Sequence, residues 1–235
     1  MVDSSMDFLQ LQAATWGLNR IGADQKGGTG AGSTIFVFDT GVRSSHREFG
    51  GTATSAIDKA KGCRGGVISC ALCNGDRNCA VDRDGHGTHC AGTAAGASYG
   101  VAPSASIRSV KVLSDQGSGS WSWSYEALAW LATSSVRPAI ASMSLGGPGK
   151  LKAMQDAVDA AVAGGVTVVV AAGNENSDAC KFSPAHVPSA ITVGSTDSRN
   201  YRSSFSNYGS CTDIWAPGSS ILSASHKSDT GSVTL

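Results

Sequence analysis

The stretch Val166 to Ala172 reads VTVVVAA and ends at Gly173-Asn174. Seven residues, six of them apolar and most of them β-branched, closed by a turn pair are too few for a membrane span. They suit a strand buried on both faces. Similar runs recur along the chain. Ser33 to Phe38 (STIFVF) stops at Asp39-Thr40-Gly41, and Ile107 to Leu113 is a second candidate strand. Pro138 to Leu145 runs into Gly146-Gly147, and Ala190 to Val193 and Asp213 to Trp215 are shorter. Between them lie helical patterns. One is centred on Leu128 and Leu131, and another carries Leu151, Met154, Val158 and Val162 at helical spacing. Strand, helix, strand in this order predicts an α/β fold: a parallel central sheet with helices on both faces and right-handed crossovers. Only 15% of residues are charged, and 18 basic side chains face 18 acidic ones. That balance gives no electrostatic basis for binding nucleic acid or an anionic membrane.

In an open α/β sheet, ligands bind outside the carboxyl ends of the strands. Asp39, the segment Ser144-Leu145-Gly146-Gly147 and Asn174 all fall at predicted strand ends, and so at one rim. A fourth group, Asp84-Gly85-His86-Gly87-Thr88-His89-Cys90-Ala91-Gly92-Thr93, opens a helix with His86 at its N-terminus. A buried carboxylate fixes one imidazole nitrogen, and the other nitrogen then accepts a proton from a nucleophile. A nearby side-chain amide donates to a developing oxyanion. The rim therefore points to acyl transfer. Taken alone, Asp39 also suits a turn or cap, and Asn174 a left-handed turn. His46, His89, His186 and His226 have no motif role and are expected to be packing or surface residues.

FDTGV around Asp39, DGHGTHCAGT around His86, SMSLGG at 142–147 and AAGNEN at 171–176 resemble the subtilisin-like serine proteases, in particular the proteinase K and aqualysin branch. GVAPSASIRSVKVLSDQGSGS, FSPAHVPSAITVGS and RSSFSNYGSCTDIWAPGSSILS extend the resemblance in the same order. It covers roughly residues 14–225. It implies a peptidase domain over 14–235 behind an extension at 1–13, interrupted by a cysteine-rich loop insertion at about 50–81. It implies Asp39 as triad acid, His86 as general base and Asn174 as oxyanion donor. Ser144, Leu145 and Gly146 with Ala171, Ala172 and Gly173 would line the specificity pocket. Gly117, Ser118 and Gly119 would form the edge strand that pairs with an extended substrate. Pro188 and Ala190 carbonyls with the Asp213 carboxylate resemble a structural calcium site. Protein or peptide substrates, an inhibitory propeptide, a monomeric state and secretion follow from the same resemblance.

The sequence departs from the family at one decisive place. The nucleophile of the family lies in a Gly-Thr-Ser-Met-Ala pattern, and the 235 residues contain none. By alignment it would fall just beyond Leu235, with the helix it opens. The expectation is a truncated serine endopeptidase that does not turn over peptides by itself. The alternative is an inactive relative that binds peptides. Residues 1–12 show no basic stretch followed by an apolar core, yet seven cysteines are many for a reducing cytosol. A fragment of a secreted precursor reconciles the two. The resemblance pairs Cys180 with Cys211 and leaves Cys90 as a thiol beneath His86. Cys63, Cys70, Cys73 and Cys79 allow three pairings, with a four-cysteine zinc site as the rival.

Overall fold

The computed structural model describes residues 15–23, 28–60 and 71–235. The expected extension at 1–13 lies outside them, as do Cys63 and Cys70. The chain begins with α1 (Trp16–Ile21), capped by the Thr15 hydroxyl at its N-terminus. Then follow β1 (Thr34–Asp39), β2 (Ala53–Asp58), α2 (His86–Ala95), β3 (Ser106–Lys111), α3 (Trp121–Thr133), β4 (Ala139–Met143) and β5 (Gly147–Pro148). The remainder is α4 (Lys152–Ala163), β6 (Val166–Ala171), β7 (Phe182–Ser183), β8 (Ile191–Thr196), β9 (Ile214–Pro217), β10 (Leu222–Ala224) and β11 (Ser232–Thr234). Among the described residues no helix is long and apolar enough to cross a membrane.

Seven strands form one sheet in the order β2-β3-β1-β4-β6-β8-β9, every neighbouring pair parallel. This is the α/β architecture expected from the sequence. All six residues of β1 are buried, as a central strand covered on both faces requires. Alternate side chains enter opposite layers. Phe36 and Phe38 pack with Leu128 and Leu131 of α3 and Met154 and Val158 of α4. Ile35 and Val37 pack with Ala91 and Ala95 of α2. Phe36 meets the Trp130 ring edge-on at 5.9 Å between centroids.

One part of the expected loop insertion is regular. Ala53–Asp58, within the stretch 50–81, forms the edge strand β2 and pairs with β3. Its sequence ATSAID carries little β-branched apolar character because an edge strand needs fewer buried side chains. Cys73 and Cys79 are joined by a disulfide. Neither thiolate is then available to a metal, so the expected rival, a four-cysteine zinc site, is not what the structure contains. Cys180 and Cys211 are also joined, and Cys90 is a free thiol.

The β10–β11 hairpin packs on α2, where the Ser223 hydroxyl donates to the His89 carbonyl at 2.8 Å. The loop after β1 grips the same hairpin, through Arg43 on Asp229 at 2.6 Å and through buried His46, whose Nε2 meets the Gly231 carbonyl at 2.9 Å.

Leu131 is fully buried between sheet and α4. Leu131→Ala is expected to lower the unfolding free energy by about 3 kcal/mol through lost burial and a residual cavity. Urea titration reads this as a lower midpoint at unchanged m-value. An unchanged midpoint would contradict the packing described.

Candidate active site

The chain order β1, β3, β4 places β3 on one side of β1 and β4 on the other, so the sheet's crevice opens at the carboxyl end of β1. Asp39 is the last residue of β1 and is fully buried. His86 is the first residue of α2, across that crevice. Its Nδ1 lies 2.7 Å from Asp39 Oδ1, which also accepts the Thr40 N–H at 2.7 Å.

Small residues make this approach possible. A Cβ on Gly87 would stand 2.1 Å from the Gly41 carbonyl oxygen, so only glycine lets α2 close on the β1 exit. The exposed N–H groups of the first helical turn then need partners. The Thr40 hydroxyl accepts Gly87 N–H at 3.0 Å and donates to Asp82 at 2.9 Å. Buried Asp82 also accepts from the backbone of Asp84, Gly85 and Thr88 and from the Thr88 hydroxyl. The Lys111 ammonium, itself buried, donates to the Thr40 carbonyl and pairs with Asp115 at 3.0 Å. The carboxylate and imidazole are thus held from both sides. The motif reading singled out neither Thr40 nor Asp82. Their positions beside Asp39 and four residues before His86 are the only sequence signal.

The hydrogen bond from Asp39 holds the His86 pKa up at about 11, from an ordinary 6.5, with Cys90 adding to it and burial opposing. The pairing with Asp39 therefore favours the protonated imidazole. Cys90 Sγ lies 3.9 Å from both ring nitrogens, aligned with the in-plane lone pair of neither. Burial also pushes the Cys90 thiol pKa up. A raised thiol pKa and that geometry argue against a cysteine nucleophile paired with His86. His89 goes the other way, its pKa lowered by burial, and its Nε2 meets the Ile221 carbonyl at 2.8 Å.

A cleft of about 650 Å³ runs from His86 along the rim. Segments 117–119, 144–146 and 171–173 all line it, together with Asn174. The 117–119 segment belongs to no strand, contrary to the expected edge strand: Gly117, at φ +73°, closes a turn in which its N–H donates to the Ser114 carbonyl at 3.1 Å, and the segment forms one wall of the cleft. Leu113, Trp121 and Glu175, not among the expected site residues, line it too. Asn174 is exposed, and its side-chain amide has no hydrogen-bond partner among the described residues. It is a free donor at the rim. A second cavity of about 430 Å³ adjoins the first, and His86, Ser144 and Asn174 line both. Its other walls are mostly small and apolar, among them Ala94, Val169, Val193 and Ala216.

Asp213 stands apart from this rim. Its Oδ2 accepts the Thr192 N–H at 2.7 Å, tying the entry of β9 to β8, while Ala190 is buried just before β8.

The parallel α/β sheet thus carries a carboxylate–imidazole pair at its carboxyl rim, beside a free amide and an open cleft. The comparisons give it a family. Residues 30–234 match the subtilase family, and the chain belongs to it. It is 46% identical to an extracellular serine proteinase of Thermus sp. (strain Rt41A), over 97% of this chain and 54% of that protein. It is 45% identical to alkaline serine exoprotease A of Vibrio alginolyticus, over 90% of this chain and 38% of that protein. A solved structure of a cold-adapted subtilisin-like serine proteinase superposes with a TM-score of 0.83 at 44% identity, covering 94% of this chain and 78% of that one. The chain thus spans about half, or less, of the length of these curated relatives.

The raised His86 pKa has a consequence for stability. The folded chain holds a proton that the unfolded chain releases near pH 6.5. This contribution is complete below that pH and fades as pH rises toward about 11. Between pH 7 and 8.5 the unfolding free energy is expected to fall with pH. The slope cannot exceed the roughly 1.4 kcal/mol per pH unit of one fully linked proton, and solvent screening of the 43% exposed imidazole shortens the pH range over which it persists. Asp39→Asn should flatten that slope in urea titrations; an equal slope in both chains would contradict the pairing.

Proposed function

We propose that this chain carries the acid–base and oxyanion half of a subtilisin-type serine endopeptidase, acting on peptide bonds of extended protein substrates. The observation that supports it most is the Asp39–His86 pair at 2.7 Å, at the junction of the cleft and Asn174. Asp39 holds Nδ1. Nε2, once neutral, takes the proton of a serine hydroxyl as its oxygen attacks the carbonyl carbon. The Asn174 amide donates to the oxygen that becomes negative. His86 returns the proton to the leaving amine, and water releases the acyl group by the same steps in reverse. The segments at 117–119, 144–146 and 171–173 hold the substrate on either side.

The serine is the part these 235 residues do not contain in its family pattern. His86 Nε2 has no hydroxyl partner among the described residues. The second cavity, apolar and shared with His86 and Asn174, is the place a Gly-Thr-Ser-bearing helix fits. Filling it would remove water from the imidazole and lower its pKa toward working range. Secretion, a propeptide partner and a monomeric state accompany this reading.

The test compares the 235-residue chain with one extended by a Gly-Thr-Ser-Met-Ala helix, on peptide substrates. The first is expected to be inert and the second active, with a rate that rises toward alkaline pH. His86→Ala in the extended form should cost at least a thousandfold in kcat. An inert extended chain that still binds peptide in the cleft would favour the second reading, a peptide-binding protein. The absence of a hydroxyl at His86 Nε2 among the described residues is the observation behind that alternative.

Calcium is the ion we propose for the Pro188 and Ala190 carbonyls and the Asp213 carboxylate. The donors are all oxygens, as that ion prefers, and the exposed carboxylate is anchored by its bond to Thr192. Its role there is to brace the β8–β9 entry. Calcium at 100 times its Kd should stabilise the fold by about 2.7 kcal/mol. Asp213→Asn should abolish the calcium-dependent shift in Tm; a shift that survives it would remove the assignment.

A further inference from the structure

Asn207 is fully buried, and its side chain commits every hydrogen-bonding position to one loop. Oδ1 accepts the Glu175 N–H at 3.0 Å and the Ser177 N–H at 2.9 Å. Nδ2 donates to the Ala172 carbonyl at 2.9 Å and to Glu175 Oε2 at 2.6 Å. Its own backbone N–H donates to the Gly173 carbonyl at 2.9 Å. These partners fix the orientation of the amide. A flipped side chain would set two N–H groups against its NH2 and two oxygens against its carbonyl. Four donors and acceptors are satisfied by residues 172 to 177, with Asn174 at their centre.

The far end of the loop is held by backbone bonds, Asn176 N–H to the Phe205 carbonyl at 2.8 Å and Tyr208 N–H to the Ser177 carbonyl at 3.0 Å, whereas Asn174 itself lies between these and the sheet. The sheet holds the loop as far as Ala172, whose N–H donates to the Val193 carbonyl. Gly173 then turns with φ +107°, and a Cβ there would stand 2.2 Å from Asn207 Nδ2. The Asn174 N–H is held by Glu175 Oε2, the same oxygen that Asn207 holds. Asn174 therefore takes its position from Asn207 through Glu175, while Ala171 and the N–H of Ala172 take theirs from β8.

We propose that Asn207 is the positioning residue for the oxyanion donor. It sets where the Asn174 amide stands without touching substrate itself. This rests on the reading of Asn174 given above. The consequence is specific. Loss of Asn207 should impair the step in which charge develops, and leave substrate binding along the sheet-anchored wall nearly unchanged.

The experiment is a double-mutant cycle in the serine-bearing extended chain, using Asn207→Ala, Asn174→Ala and the pair. Asn207→Ala is expected to lower kcat at least tenfold with KM within about twofold. In an Asn174→Ala background it should cost less than twofold more. Additive losses, or a loss carried by KM, would overturn the proposal. Asn207→Asp should be similarly impaired, since it sets a carboxylate against Glu175.

A readout independent of activity is amide exchange in the 235-residue chain. Asn207→Asp should speed exchange at Asn174 at least tenfold and leave Val168 and Val170 of β6 unchanged. Acceleration spread over β6, or none at Asn174, would overturn the proposal. If the extended wild-type chain is inert, the endopeptidase reading fails, and the exchange result alone decides the role of Asn207.

Discussion

The hydrogen bond between Asp39 and His86 is the interaction around which the rest is arranged. It joins a buried carboxylate to a half-exposed imidazole, with no other cation at hydrogen-bonding distance from Asp39 among the described residues. Such a pair survives only if both partners are delivered by rigid elements. A fully buried central strand delivers Asp39. A helix brought unusually close by Gly87 delivers His86. Thr40 and Asp82 bind the two together, satisfying the helix N-terminus with groups that also fix the end of the strand. The sheet order then decides what lies nearby. Because β4 and β6 follow β1 on one side, their exits carry Ser144 and Asn174 to the same rim.

The strands that position the site were legible because a buried parallel strand must be apolar along its whole length. VTVVVAA and STIFVF leave little choice, and their terminal Gly, Asp and Asn mark the functional rim. The motifs around Asp39, His86 and Asn174 were equally direct. Ala53–Asp58 was not legible, because an edge strand half open to solvent has no continuous apolar run. The β10–β11 hairpin escaped for a related reason. Its strands are three residues each and are held by His46, Arg43 and His89, partners more than a hundred residues away in sequence.

Residues that act through other residues were the least visible. Asp82 lies just before the motif around His86 and Asn207 lies inside a recognisable one, yet their roles depend on which backbone groups the fold turns toward them. No spacing rule predicts that five donors converge on Asp82. Nor does one predict that an Asn in SFSNYG braces a loop thirty residues earlier. The cysteines divide in the same way. The resemblance supplied the Cys180–Cys211 bridge, whereas the partner of Cys73 became clear only from the fold.

The central claim is that Asp39 holds His86 as a charged, oriented imidazole at the junction of the two cavities. The most direct measurement is a ring-nitrogen NMR titration of His86 in the 235-residue chain. The account predicts that His86 remains protonated well above pH 8, and that Asp39→Asn returns its midpoint toward or below 6.5. A His86 midpoint near 6.5 in the unaltered chain would contradict it.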